Sequence, residues 1–463
     1  MALSLGLTVG VAPAGASAAD HGVKSPVAGP ASYVPGRLIV GYTPPVASAS
    51  ADIRGASGLA VTPAAPVQVP QEQVLRLPAG HSVAGSLAAV RRVPGISFAV
   101  PDYIAHAAGT GAWYPNDPGR ARRPRGWEKM QWNFLSGAGV NAPAAWANLR
   151  AAGRPGASRI KVAVLDTGIA YRNWREFKQM PDFASIRFID PCDLVDGRIA
   201  RGRCTDPNAL DRNGHGTFVA AELAEATNNR HDLAGLAYRA WIMPVRVLNA
   251  NGDGGSASVS AGIRYAVTHG AQVVNLSLQF GDGLSASDIP NVMSALQYAN
   301  DHNVVVVAAA GNDASKTVSY PARARTVISV GATTKDRCLA NYSDSGQGLD
   351  LVAPGGGRDA GLSDSDCHPG RRLPNVYQMD FRHLGQPRTF GYPGDWSGTS
   401  MAAPEVSAAA AMVIAGGVLG PHPKPAAILT RLEQTATALG GSAPNADYGY
   451  GLVNLGAATA HSG

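Results

Sequence analysis

Three short segments set a reactive side chain beside glycine. They are VAVLDTGI with Asp166, DRNGHGTFVA with His215 and SGTSMAAP with Ser400. A serine hydroxyl is a poor nucleophile at its own pKa. It needs a neutral imidazole to take its proton and a carboxylate to hold that imidazole in the right tautomer. The chain supplies one of each, framed by glycines that let a substrate backbone approach. Attack on a carbonyl creates an oxyanion, which needs preorganised donors. The N–H of Ser400, at a helix start, is one donor. The apolar run 305–309 leads into Ala310-Gly311-Asn312 and brings the amide of Asn312 to the same edge as a second.

Those residues need elements to hold them. Short apolar, β-branched runs at 160–165, 241–248, 272–278, 304–309, 327–331 and 350–353 read as strands. Helical spacing appears at 216–225, 258–269, 289–302, 399–414 and 425–435. Strand alternating with helix predicts an α/β domain: a mostly parallel sheet covered by helices on both faces. Ligands bind such sheets at the carboxyl ends of the strands, and Asp166 ends one. The apolar stretch after Ser400 contains Glu405 and is dominated by alanine and glycine. It reads as a buried central helix rather than a membrane span. No internal repeat is apparent.

With 463 residues, 45% of them hydrophobic, the chain is long enough for two or three domains and a large core. Charged residues make up 16%, and there are 55 glycines and 33 prolines, which fits a loop-rich α/β protein rather than a coiled coil or a disordered chain. The net charge is +6, but the basic residues cluster locally, as at 120–125, without interleaved aromatics; this argues against a nucleic-acid partner. Residues 1–19 are small and apolar, and Ala16-Ser17-Ala18 has the small-x-small form that a signal peptidase reads. Export to the extracellular space is expected, with no stable membrane anchor. The four cysteines, Cys192, Cys204, Cys338 and Cys367, suggest disulfides in an exported chain, with three pairings open. Local pairing would pin two loops rich in glycine and aspartate. Their spacing matches no zinc site.

A Pro-containing spacer follows at 20–32. A small module spans 33–106, with a strand after Val34-Pro35-Gly36, a helix over 82–92 and a closing strand near Tyr103. Residues 107–130, with the run Arg120-Ala121-Arg122-Arg123-Pro124-Arg125, read as an exposed basic linker suited to proteolytic processing. The main domain is expected over 131–463.

The DTG, HGT, AAGN and GTSMAAP segments, in that order, resemble the subtilisin family, as does the late YGYGLVN. GTSMAAP is specific by itself; the others gain force together. The order Asp, His, Ser is that of subtilisin, whereas α/β-hydrolase esterases carry Gly-x-Ser-x-Gly and the order Ser, acid, His. A binding protein on a dead protease fold would have lost one of these residues. The resemblance covers roughly 131–460. It implies a three-layer αβα sandwich, a serine endopeptidase acting on proteins or peptides, and no cofactor for the chemistry. It makes Asp166 the orienting acid, His215 the general base, Ser400 the nucleophile and Asn312 the oxyanion donor. The small α+β module resembles an inhibitory prodomain, so the chain is expected to be a self-processing zymogen whose prodomain is its intramolecular inhibitor. A monomer is expected.

The resemblance also implies a substrate site. Ser277, Leu278 and Gln279 form one wall, Ala308, Ala309, Ala310 and Gly311 the other, and Ser319 the floor. Here Gln279 and Phe280 stand where the family usually has two glycines. No carboxylate is evident at the floor, so a medium apolar side chain is the expected substrate residue. The segment 226–231 resembles the family's calcium loop and implies Asn229 as a ligand, with Asp182 as its carboxylate partner; a plain Asn-rich turn is the alternative. The family usually has His where Glu405 stands, and often at Phe218. A carboxylate on that apolar helix needs a partner.

Overall fold

The computed structural model describes residues 33–43, 49–63, 71–103, 112–195, 199–200, 203–364, 366–394 and 396–461. The expected signal peptide and spacer lie outside the described residues, as do 107–111 at the start of the expected linker. The chain divides into two compact units, one ending at Ala107 and one spanning Ala108–His461.

The smaller unit is an antiparallel sheet of β1 (Tyr33–Tyr42), β2 (Thr62–Pro63), β3 (Glu72–Arg76) and β4 (Ile96–Tyr103), in the order β2-β3-β1-β4. Two helices accompany it, α1 (Ala49–Ser57) and α2 (Val83–Val90). Alternation along β1 turns Leu38 and Val40 inward, where they share a core with Ile53, Leu75, Val83 and Val90. Ser82 caps α2 by accepting the Gly85 N–H at 3.1 Å.

The larger unit is built on an eight-stranded sheet. Its strands are β5 (Lys161–Asp166), β6 (Arg187–Phe188), β7 (Cys192–Asp193), β10 (Trp241–Arg246), β11 (Val273–Leu276), β12 (Val305–Ala309), β13 (Val327–Thr333) and β14 (Leu351–Pro354). The order is β14-β13-β12-β11-β5-β10-β6, with β7 also on β10, and every pairing is parallel. Two hairpins stand apart, β8 (Ile199–Ala200) with β9 (Arg203–Cys204) and β15 (Asp380–Phe381) with β16 (Phe390–Gly391).

The helices are α3 (Ala142–Ala151), α4 (His215–Ala224), α5 (Ser256–Thr268), α6 (Pro290–Asp301), α7 (Thr399–Gly416), α8 (Pro425–Thr435) and α9 (Leu455–Ala458). Strand side chains alternate between two cores. Val162, Val164, Val305 and Val307 pack with α3, α4, α7, α8 and α9, while Ala163, Leu165, Val274 and Val306 pack with α5 and α6. This is the αβα sandwich the alternating pattern predicts: a sheet buried on both faces needs continuous apolar strands. Helix α7 is buried almost all round, and its alanines let α4 and the sheet approach closely.

One expectation needs refining. The basic run 120–125 is exposed as expected, but residues on either side of it pack into the larger unit. Trp127 is fully buried among Phe134 and Trp146, and its indole N–H donates to the Pro115 carbonyl at 3.0 Å. Arg125 lies over the Tyr114 ring at 4.0 Å and pairs with Glu128, and Arg120 donates to the Tyr392 carbonyl. Arg120 looked free in sequence because its aromatic partners, Tyr377 and Tyr392, lie elsewhere in the chain.

Disulfides join Cys192 to Cys204 and Cys338 to Cys367, the local pairing among the three. The first ties β7 to the hairpin of β8 and β9. No described helix is long and apolar enough to cross a membrane.

Candidate active site

Asp166 is the last residue of β5, His215 the first of α4 and Ser400 the second of α7. All three therefore sit at the carboxyl edge of the parallel sheet, where β5 is flanked by β10 and β11. The Asp166 side chain is fully buried; His215 keeps 17% of its side chain exposed. His215 Nδ1 and Asp166 Oδ1 are 2.7 Å apart, and the same oxygen accepts the Thr167 N–H at 2.7 Å. Gly216 makes this approach possible: a Cβ there would lie 2.2 Å from the Gly168 carbonyl and 3.0 Å from the Asp166 carboxylate. Burial by itself would lower the imidazole pKa, but the neighbouring Asp166 carboxylate, with Asp211 behind it, holds it above its ordinary value.

Asp211 builds the loop that presents His215. It accepts N–H bonds from Asn213, Gly214 and Thr217 and hydroxyl bonds from Thr167 and Thr217. Asp380, buried on the hairpin of β15 and β16, accepts the Trp396 indole N–H at 2.8 Å, and Trp396 stands edge-on to His215 with ring centres 5.4 Å apart. Trp396 and Asp380 carry no sequence signal, because no spacing relates them to the histidine.

Ser400 and His215 open onto one groove of about 580 Å³, which is also lined by Thr167, Leu248, Ser277 and Trp396. The Ser400 hydroxyl donates to the Ser277 carbonyl at 3.2 Å. Catalytic hydrogen bonds commonly tighten only when substrate is bound. The Ser400 carbonyl accepts the Ser277 hydroxyl at 2.8 Å. It is available because Pro404, four residues on, has no N–H to offer it. Asn275 extends this link, donating to Ser277 and accepting from Ser407 of α7.

Asn312 follows β12. Its Oδ1 accepts the Thr399 N–H at 2.8 Å and the Thr399 hydroxyl at 3.0 Å, which leaves the Nδ2 group as its donor beside the start of α7. Of the expected substrate walls, Ser277, Leu278 and Gln279 leave β11 just beyond Leu276, and Ala308, Ala309, Ala310 and Gly311 run from the end of β12 into the loop after it; Leu276 and Ala308 are paired. Ser319 lies beneath them, its N–H bonded to the Ala310 carbonyl. The floor does hold carboxylates, against the expectation. The Ser319 hydroxyl donates to Asp344 at 2.9 Å, and Asp282, Asp313 and Asp344 each bring a carboxylate oxygen within 4.8 Å of the others. Asp344 comes from the loop after β13, so nothing near Ser319 in the chain announced it.

Asn229 and Asp182 meet, but the Asn229 amide donates to Asp182 and its Oδ1 accepts the His231 N–H at 2.8 Å. The Asn229 oxygen is therefore engaged. Beside it, Asp182 Oδ2 and both oxygens of Glu225 are buried oxygens of the kind a hard cation takes, and the two carboxyl groups meet each other. Burial raises the Asp182 carboxyl to about 8 and Glu225 well above its ordinary range.

Glu405 has its partner. The Asn133 amide donates to Glu405 Oε1 at 2.7 Å and to Glu222 Oε1 at 2.6 Å, all three fully buried. Phe218 is buried with its ring 5.9 Å from that of Trp396.

Comparison with known proteins identifies the family. Residues 157–451 match the model of the subtilase family of peptidases, and residues 20–102 match that of the fervidolysin N-terminal prodomain. Over 302 residues, 65% of this chain, it is 36% identical to the alkaline protease of Alkalihalobacillus alcalophilus and to Subtilisin BL of Lederbergia lenta. The aligned stretch spans 64% of the first relative and 91% of the second. A solved protease structure from Pseudoalteromonas arctica PAMC 21717 superimposes with a TM-score of 0.58 at 27% identity, over 75% of this chain and 99% of that one. The chain belongs to the subtilase family of serine peptidases and carries an N-terminal prodomain.

Proposed function

We propose that this protein is a secreted serine endopeptidase, made as a zymogen that processes itself. The observation that carries the reading is the 2.7 Å contact of His215 Nδ1 with buried Asp166, on a ring that shares one groove with Ser400. Asp166 fixes the imidazole tautomer and stabilises the imidazolium. His215 Nε2 takes the Ser400 proton as Oγ attacks the peptide carbonyl, then gives it to the leaving amine. The Ser400 N–H and the Asn312 Nδ2 group hold the oxyanion. Water, deprotonated by His215, then hydrolyses the acyl-enzyme. No step needs a cofactor.

Export is supported by the apolar leader at 1–19 and by the two disulfides, which persist in oxidising compartments. The prodomain acts as an intramolecular inhibitor. Its last described strand ends at Tyr103 and the larger unit is already packed at Trp113, so cleavage falls between these two residues. Asp182 and Glu225, with buried carboxyl oxygens, would hold a structural calcium ion.

The test is to express the chain with export, beside Ser400→Ala, and to follow intact mass and casein digestion. The wild type should lose its prodomain and digest casein, and a serine-directed covalent inhibitor should stop digestion; Ser400→Ala should stay uncut and inactive. Equal processing and digestion by both would sink the site assignment. A folded wild type that neither matures nor digests, even with the prodomain removed, would favour a binding protein on a protease fold.

A further inference from the structure

The groove beside Ser400 stops short of one wall of the expected cleft. Its lining includes Ser277, Leu278, Gln279 and Phe280, but among the described residues it includes none of Ala308–Gly311 and not Ser319. A residue whose carbonyl lies between Ser400 and Asn312 would project its side chain between these two segments. They leave neighbouring parallel strands, and Ser277 already contacts the Ser400 hydroxyl.

Gln279 spans that space. Its Oε1 accepts the Asn312 N–H at 2.7 Å, and its Nε2 donates to the Asp313 carboxylate, so both ends of one amide are tied to the opposite wall. The next residue is tied too: the Phe280 N–H donates to the Tyr320 carbonyl at 2.7 Å. Depth is limited from below. A Cβ on Gly311 would lie 1.9 Å from Asp344 Oδ2 and 2.9 Å from the Ser319 hydroxyl, so a carboxylate occupies the volume under that glycine.

We propose that Gln279 is a clasp across the primary specificity cleft, and that it restricts this peptidase to substrates with a small residue, Ala, Gly or Ser, on the N-terminal side of the scissile bond. The proposal rests on the catalytic reading above. A small side chain fits beside the clasped amide. A large apolar one must displace the clasped amide and break both Gln279 bonds, leaving the Asn312 N–H and Asp313 without that partner. The carboxylates at the floor do not by themselves select a basic side chain. Asp344 is already satisfied by the Ser319 hydroxyl and by the Asp313 and Ser315 N–H groups, and the Gln279 amide occupies Asp313.

The experiment uses the mature enzyme and a peptide series that differs only at that residue: Ala, Leu, Phe or Lys. The wild type should favour Ala over Phe at least tenfold in kcat/KM. Gln279→Gly should erase that ratio, chiefly by lowering KM for Phe. Gln279→Glu, which keeps the size but sets a carboxylate against Asp313, should move the ratio the same way, so a folding defect in one variant does not hide the effect. A wild type that takes Phe as readily as Ala, or variants that keep the wild-type ratio, would overturn the clasp. A preference for Lys that Asp344→Asn abolishes would also overturn it, because the charged floor would then decide. An enzyme that cleaves no peptide and whose Ser400 resists a serine-directed phosphonate overturns the catalytic reading itself. Labelling of Ser400 with cleavage after Phe overturns the clasp alone.

Discussion

Helices α4 and α7 meet at two levels, and a buried carboxyl group is treated differently at each. At their first turns they present His215 and Ser400 to the groove, with Asp166 beneath. There Oδ1 of the carboxylate meets both the imidazole and the Thr167 N–H, while its buried Oδ2 accepts no bond from the described residues. Deeper, the same helices present Glu222 and Glu405 to each other. The Asn133 amide reaches Oε1 of each, the two carboxyl groups meet each other, and the Gln378 side chain also bonds Glu222. Burial pushes Glu222 up to about 7 and, with Glu222 beside it, Glu405 well above the usual carboxyl range. Four buried oxygens with so few donors hold a proton between them. The upper site needs a charge to orient an imidazole; the lower one packs as an acid and closes the two helices together.

That contrast can be broken at either level. The largest effect is expected from Asp166→Asn, which keeps the size of the side chain but presents the wrong group to the imidazole. Turnover should fall about 10⁴-fold. The pH profile should move as well. In the wild type the Asp166 carboxylate holds the His215 pKa up, and the base must be neutral, so activity is lost as pH falls through a value above 6.5. Without the charge, the residual activity should persist to lower pH. A profile that did not move would mean that another group titrates.

At the lower level, Asn133→Leu removes the amide shared by both glutamates. Leaving buried acceptors unpaired costs about 1–3 kcal/mol, so in a unit this large Tm should fall by about 2–4 °C. Thermal unfolding is best followed in the Ser400→Ala background, where self-digestion is absent. An unchanged Tm would show that Asn133 does not join the pair.

The smallest effect separates charge from shape. Glu222 binds its proton more tightly folded than at its usual value of 4.5, so the folded state holds more protons than the unfolded one between 4.5 and about 7. Stability is therefore full below 4.5 and is lost as pH rises through that window. Glu222→Gln cannot ionise and still offers a donor to Glu405. Its Tm should exceed the wild type by about 3 °C at pH 9 and match it near pH 4. Parallel curves for the two proteins would show that the pair is not titrating.

What the sequence by itself determined is the architecture and the chemistry of its edge. Apolar β-branched runs alternating with helical spacing can bury both faces of a sheet only as parallel strands under two helix layers. A glycine beside each of Asp166, His215 and Ser400 marks turns at the ends of strands and helices, and such turns are local. Tertiary structure decided everything that depends on partners distant in the chain. Trp127 and Arg120 read as part of a linker because the rings they pack on, Trp146 and Tyr392, lie elsewhere in the chain. The floor beneath Ser319 read as uncharged because Asp344 arrives from another loop. Glu405 read as a lone carboxylate because Asn133 and Glu222 meet it only when α4 and α7 pack. Periodicity records which face of an element is buried; it does not record what that face meets, and hydrogen bonding and charge depend on what it meets.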